Sequence, residues 1–243
     1  MLTPLILRAG DCALVVEFGR EIDEEVNARV HALDAAVRQK HIIGVTETVP
    51  TFRSLTVFFD PSVLSGERLK RKLLKLCKSL SVCAETEKKV VEIPVLYGGE
   101  FGEDLKDVAD ITGLSAEEVI RIHTSTDYRI FMLGFLPGFV YLGGMDKRIA
   151  CPRLSTPRTK IHAGAVGIGG EQTGIYPLAS PGGWRLIGTT PVRPYDNERT
   201  PPVLFSAGEY IRFVSVDEEE YREIEQQVQN GTYVLRVTGG AEK

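Results

Sequence analysis

No run of apolar residues in this 243-residue sequence approaches the roughly 20 that a helix needs to cross a bilayer. A membrane partner is therefore not expected. The first residues, MLTPLILRAGDCALVVEF, lack a basic leader ahead of an apolar stretch, and Asp11 and Glu17 interrupt the apolar pattern. They read as mature sequence, with the cytoplasm as the expected address. Basic residues are not in excess: 29 Lys and Arg stand against 33 Asp and Glu, so a nucleic-acid partner is not expected either. Cysteine is scarce. Cys12, Cys77, Cys83 and Cys151 form no C-x-x-C pair and no zinc-finger spacing, which argues against metal sites and disulfides. Cys12 and Cys77 fall in apolar patterns that suit core packing.

Catalytic signatures are equally thin. There is no G-x-x-x-x-G-K-[ST] nucleotide loop, no H-E-x-x-H and no G-x-S-x-G. The glycine-rich GIGGEQTG at 167–174 lacks the lysine of a phosphate loop, and it suits a strand–turn–strand as well as an anion cradle. Of the four histidines, His31 and His41 have no metal partner at useful spacing. His123 falls near the end of an expected helix, where a charged imidazole would meet the dipole. No self-contained hydrolase is visible.

What is present divides in two. Residues 1–88 read as strand, strand, helix, strand, strand, helix: LTPLILR, ALVVEF, the set Ile22, Val26, Val30, Leu33, Val37 capped by Asp23, then GVTETVP, SLTVFF ended by Asp60-Pro61, and the set Leu69, Leu73, Leu76, Leu80. That order predicts a small α+β domain, a ferredoxin-like sheet with its helices on one side. The charged stretch ETEKK at 85–89 marks the boundary, and residues 89–243 form the second domain.

The second domain opens with VVEIPVLY and two short helices. The first stops at Gly113, and Ser115 with Glu118 makes a capping box before the next. After Asp127 the helical period disappears. Short apolar runs (GFVYL, AVGIG, TGIYPLA, WRLIG, EYIRFVSV, TYVLRVT) alternate with turn residues, and DEEEYREIEQQVQ at 217–229 reads as a late helix. This predicts a mainly-β barrel or sandwich. Two segments draw attention. GIYPLASPGGWRLIGTTP, 174–191, holds the only tryptophan, three prolines and four glycines. It suits a rigid wall of a pocket or a partner face, formed by Tyr176, Pro181, Gly182, Gly183 and Trp184, or else a barrel corner with Trp184 in the core. CPRLSTPRTKIHAG, 151–164, sets Arg153, Arg158 and Lys160 on a proline-stiffened segment. It suits an anion site or a solvated loop.

GFLPGFVYLGG at 134–144, PR-x-x-x-PR at 152–158, GAVGIGGEQTGIYP at 164–177 and SPGGWRLIG at 180–188 together resemble one family. It is described as sporulation kinase inhibitor, as the B-type subunit of 5-oxoprolinase and as allophanate hydrolase subunit 1. PTFRSLTVFFDP and IPVLYGGEFGEDL extend the resemblance over nearly the whole chain. It implies a cyclophilin-like β-barrel for the second domain. It also implies a subunit of an ATP-dependent 5-oxoprolinase, inactive alone, which opens 5-oxoproline to glutamate with homologous partner subunits. ATP and Mg would be held by the complex. The alternative it implies is a protein that inhibits a histidine kinase by binding it. Within the enzyme reading, Arg153 and Arg158 bind anions. Gly169 and Gly170 backbone amides, with Gln172 and Thr173, supply neutral donors. The family pattern has proline, serine and arginine where this sequence has His162, Ala165 and Thr189, so no general-base role is assigned to His162 and no hydroxyl to position 165.

Overall fold

The computed structural model describes residues 4–21, 23–80 and 88–239. Ile22, Cys83 and positions 85–87 of the charged boundary stretch lie outside those residues. The chain divides into two compact units, Met1–Glu85 and Thr86–Lys243.

The first unit contains β1 (Leu5–Arg8), β2 (Ala13–Glu17), α1 (Glu24–Gln39), β3 (Val45–Pro50), β4 (Ser54–Phe59) and α2 (Gly66–Lys78). The strands form one sheet in the order β1-β2-β4-β3, and every neighbour is antiparallel. Alternate residues of β2 (Leu14, Val16) and β4 (Leu55, Val57, Phe59) turn to the face where Val30, Leu33 and Val37 of α1 and Leu69 and Leu73 of α2 pack. A period of 2 meets a period near 3.6, and one dry layer results. Asp23 caps α1 by accepting the Glu25 and Val26 N–H groups, as the sequence predicts. Cys12 does not pack in the core: it is exposed, in the turn before β2.

The second unit contains β5 (Val90–Tyr97), α3 (Leu105–Thr112), α4 (Ala116–Thr124), β6 (Asp127–Leu133), β7 (Val140–Gly143), β8 (Arg158–Ile161), β9 (Ala165–Gly169), β10 (Gln172–Ile175), β11 (Ser180–Gly182), β12 (Arg185–Thr189), β13 (Tyr210–Ser215), α5 (Glu218–Gln229) and β14 (Val237–Thr238). Seven strands run β12-β9-β10-β7-β6-β13-β5, and β5 pairs back with β12, so the barrel is closed. Closure leaves no free edge among these strands. The interior is filled by residues such as Ile93, Val95, Ile130, Leu142, Val166, Ile168, Ile187 and Ile211, with α3 and α4 adding Val108, Val119 and Ile122. Gly113 ends α3 at φ 71, and Ser115 accepts the Glu118 N–H at the start of α4. The TYVLRVT segment contributes only the two residues of β14. Among the described residues no helix is long and apolar enough to cross a membrane.

A separate ribbon, β8 paired with β11, covers part of the barrel's outer surface. Beneath it lies a second apolar cluster: Phe139, Ile161, Ala165, Tyr176, Trp184 and Leu186.

Candidate functional site

The glycine-rich stretches serve this outer cluster. Trp184 is 4% exposed. A β-carbon on Gly169 would stand 2.5 Å from its indole, well inside van der Waals contact, so only glycine lets the ring lie against β9. A β-carbon on Gly182 would meet the Tyr176 hydroxyl at the same distance. Phe139 meets Trp184 edge-on at 5.6 Å and Tyr176 at 5.3 Å, and Tyr141 meets Trp184 at 6.5 Å. Such pairings add to the area they bury. The composition of 174–191 suggested Tyr176 and Trp184 for a pocket wall or a partner face. The structure buries both, so neither presents its ring face to a partner. The exposed members of that set are Pro181 and, in part, Gly182 and Gly183.

One aromatic does reach solvent over this cluster. Phe135 is 63% exposed, holds φ at +66° and meets Phe139 edge-on at 5.6 Å. Left-handed backbone at a bulky residue costs energy, so the loop at 134–139 holds this ring outward against its local preference. Nothing in the composition of GFLPGF marks that residue for exposure.

The two arginines of the PR-x-x-x-PR segment part company. Arg153 is exposed, lies 5.8 Å over the Trp184 ring and has no carboxylate partner among the described residues. Arg158 is spent within the chain. Its two η nitrogens clamp Asp104 at 2.9 and 2.8 Å, and its Nε meets Glu103 at 3.1 Å. Asp104 is 4% exposed and also accepts the Leu186 N–H at 2.7 Å. The hydrogen bonds to Asp104 raise the Arg158 pKa further. The anion-binding role read for Arg158 is therefore displaced: its fork already holds a buried carboxylate, tying β8 to the start of α3. That carboxylate lies 54 residues away and left no signal in the sequence.

The neutral donors separate in the same way. Gly170 sits at the exposed turn between β9 and β10 with φ 68, opposite Cys151. The Gln172 Nε2 is buried with no hydrogen-bond partner. Thr173 is wholly buried and belongs to a polar chain inside the barrel. Its hydroxyl donates to the Gly167 carbonyl at 3.0 Å, so the 2.9 Å contact with His123 must be His123 Nε2–H donating to Thr173 Oγ1. His123 Nδ1 then accepts from the Tyr97 hydroxyl at 2.7 Å. Every member is satisfied and the tautomer is fixed. Phe213 stacks on the imidazole at 4.5 Å. Complete burial pushes the His123 pKa down to about 3, so the ring is neutral and does not act as a cation at the helix end. A hint was available: His123 follows Val119 by four residues, on the apolar stripe of α4.

His162 has one firm partner. Its Nε2 lies 2.8 Å from Thr189 Oγ1, and that hydroxyl donates to the Phe101 carbonyl at 2.7 Å. Desolvation lowers the His162 pKa, against the opposing charge of Glu103. Two positions that depart from the family pattern thus touch each other. Among the described residues no three His, Cys, Asp or Glu side chains are grouped to hold a metal ion.

Residues 4–205 match the family described as "Carboxyltransferase domain, subdomain C and D". The chain is 47% identical over 226 residues to the Bacillus subtilis protein named as the B-type subunit of 5-oxoprolinase, covering 89% of this chain and 94% of that one. The Escherichia coli protein of the same name is 40% identical over 206 residues, covering 84% and 93%. Among solved structures, the Kluyveromyces lactis urea carboxylase superposes with a TM-score of 0.82 over 98% of this chain at 22% identity, a likeness of fold. This chain spans only 24% of that much longer polypeptide. On the match over residues 4–205 and the identity to those two bacterial proteins, the chain belongs to the carboxyltransferase-domain family that contains the B-type subunits of 5-oxoprolinase.

Proposed function

We propose that this chain is one subunit of an ATP-dependent 5-oxoprolinase, which with partner subunits hydrolyses 5-oxoproline to glutamate. The observation that carries this reading is identity close to one residue in two along almost the full length of a protein named for that activity. The names of the relatives support the hydrolase reading and lend nothing to inhibition of a histidine kinase.

The chemistry explains why several subunits are needed. A lactam carbonyl is resonance-stabilised and resists water. Transfer of a phosphoryl group from ATP to the lactam oxygen makes the carbon attackable. Water then adds, the C–N bond breaks, and phosphate leaves. Such a site holds a carboxylate, a nucleotide with its Mg²⁺ and a developing oxyanion. We assign ATP and Mg²⁺ to the complex and expect this chain to be inactive alone. Its own contribution is the exposed rim over the outer aromatic cluster. Arg153 offers a guanidinium with no carboxylate opposite it among the described residues, whereas the unpartnered amide nitrogen of Gln172 is buried and is not presented on that rim. The Gly170 N–H already donates to the Cys151 carbonyl at 2.8 Å and Gly169 is buried in the β9–β10 ladder, so neither is assigned a donor role. Pro181, Gly182 and Gly183 lie toward the partner. Trp184, Tyr176 and Arg158 hold that rim in place from beneath, while Thr173 serves the polar chain inside the barrel.

For the fold, a β-α-β-β-α-β unit with its last strand moved to the front gives the strand, strand, helix, strand, strand, helix order of the first unit. We read that unit as a permuted ferredoxin-like sheet. The term cyclophilin-like for the barrel rests on the family resemblance.

The test is reconstitution. The purified chain, mixed with candidate partner subunits of 5-oxoprolinase, is assayed for ATP hydrolysis that depends on 5-oxoproline. Turnover is expected only in the mixture, and Arg153→Ala is expected to lower it while the melting temperature holds. A mixture with no 5-oxoproline-dependent turnover overturns the proposal.

A further inference from the structure

The loop after β12 and helix α5 line a half-open cavity of about 150 Å³ that plays no part in the rim described above, with Arg193 and Glu225 both exposed at it. Its walls include Pro177, Val192 and Val228, and five polar side chains line it: the neutral Thr190 and Gln229, and Arg193, Tyr221 and Glu225, the three that matter most here. The partners of these three decide what the cavity suits. Arg193 is exposed and makes no side-chain hydrogen bond or ion pair with any described residue. Arg199, in the same loop, behaves in the opposite way and donates to the carbonyls of Arg193, Pro194, Pro201 and Pro202. Tyr221 is 6% exposed and its ring rests on Phe101 at 5.1 Å. Its hydroxyl bonds to no described residue. Burial, aided by the charge of Glu225, pushes that phenol up to about 12, so it stays a protonated donor. Glu225 follows Tyr221 by four residues, on the same side of α5, and forms no ion pair among the described residues.

Arg193 and Glu225 thus line one small cavity, opposite in sign, without pairing to each other. A simple anion would leave Glu225 facing it, and a simple amine would leave Arg193 facing it. Either arrangement carries an unfavourable charge contact. A ligand with both charges satisfies both residues.

We propose that this cavity binds a small zwitterion of the α-amino acid class, with its carboxylate on Arg193 and the Tyr221 hydroxyl and its ammonium on Glu225. The carboxylate matches the two-pronged donor face of a guanidinium. The apolar residues at 177, 192 and 228 leave room for a short side chain. The site stands independently of the 5-oxoprolinase reading, because it rests on side chains outside the rim and is read by binding rather than by turnover.

The experiment measures binding to the full chain by saturation-transfer NMR and calorimetry. The probes are L-alanine and L-glutamate, with propionate and ethylamine as the two halves of a zwitterion. At least one amino acid is expected to bind, with each half-probe weaker by about tenfold or more. Arg193→Met and Glu225→Gln are each expected to weaken the amino acid by a similar factor while leaving the melting temperature unchanged, since neither side chain is tied to the fold. The proposal is overturned if neither amino acid binds, if propionate binds as well as alanine, or if either variant binds like the parent chain.

Discussion

Strand β9 divides two cores by simple alternation. Val166 and Ile168 turn into the barrel, where both are fully buried. Ala165, Gly167 and Gly169 turn outward, toward Trp184 and its aromatic neighbours. The inner side is filled by branched side chains because closure of seven strands surrounds them. The outer side has only the β8–β11 ribbon for cover. There the strand is pared to glycine and alanine so that one large ring can lie flat and exclude water. The same backbone therefore meets two packing problems, one solved by volume on the strand and the other by volume brought to it.

The inner core carries the larger expected effect, because it encloses a titratable group. His123 is neutral in the fold, with its pKa depressed to about 3 from an ordinary value of 6.5. The unfolded chain takes up a proton first as pH falls. The stabilisation is complete above about pH 6.5 and is lost progressively from there down to about 3, where the folded ring protonates as well. Across that whole window the loss is on the order of 5 kcal/mol, a tenfold change in the folding constant for each pH unit. Other groups titrate over the same range, so the useful comparison is with His123→Phe. That variant is less stable at pH 7, because the Tyr97 and Thr173 hydroxyls lose their partner. Its deficit relative to the parent is expected to shrink as pH falls from 7 to 4. A deficit that stays constant in denaturant melts would show that His123 is not buried neutral.

The outer core is tested by removing the ring it was built around. Trp184→Ala is expected to cost about 3–5 kcal/mol, the usual range for deleting a buried tryptophan. Near-ultraviolet circular dichroism should lose its tryptophan signal, and the denaturation midpoint should fall. If the variant melts like the parent, Trp184 is not the keystone of this cluster, and the partner-face reading of the segment regains its force.

These two cores differ in how far the sequence revealed them. Alternation in AVGIG and the capping signals at Asp23 and Ser115 are local, and so the strands, helices and two-part division were readable. The barrel was readable as a class but not as a closed ring, because closure rests on β5 meeting β12 some 90 residues later, Leu96 opposite Thr189. The site was less readable for the same reason. Composition marked Arg153 and Arg158 as equals. Their difference depends on Asp104, which reaches only Arg158 and lies outside the segment. Likewise the glycines at 167, 169 and 174 invite a ligand-cradle reading, whereas they are met from within the chain, by Trp184 at all three and by the Arg185 and Val140 carbonyls at 167 and 174. Density of glycine reports that something comes close to the backbone. It does not report what.

The smallest expected effect isolates that last point. Gly169→Ala adds one methyl group where the indole would stand 2.5 Å away. The clash is with a ring held on several sides by Phe139, Tyr141 and Tyr176, so it cannot be relieved by a flexible side-chain end. Overpacking of this kind typically costs about 1–3 kcal/mol. Gly170→Ala is the matched control, since a β-carbon there meets nothing within 4 Å and its only cost is the positive φ of 68°. The comparison predicts that Gly169→Ala changes tryptophan fluorescence as well as stability, whereas Gly170→Ala lowers stability by roughly 1 kcal/mol and leaves the fluorescence as it was. Combining Gly169→Ala with Trp184→Phe sharpens the assignment: with the smaller ring in place, part of the Gly169→Ala cost should disappear. If that cost is unchanged, the glycine is required by the backbone of β9 and not by the ring that covers it.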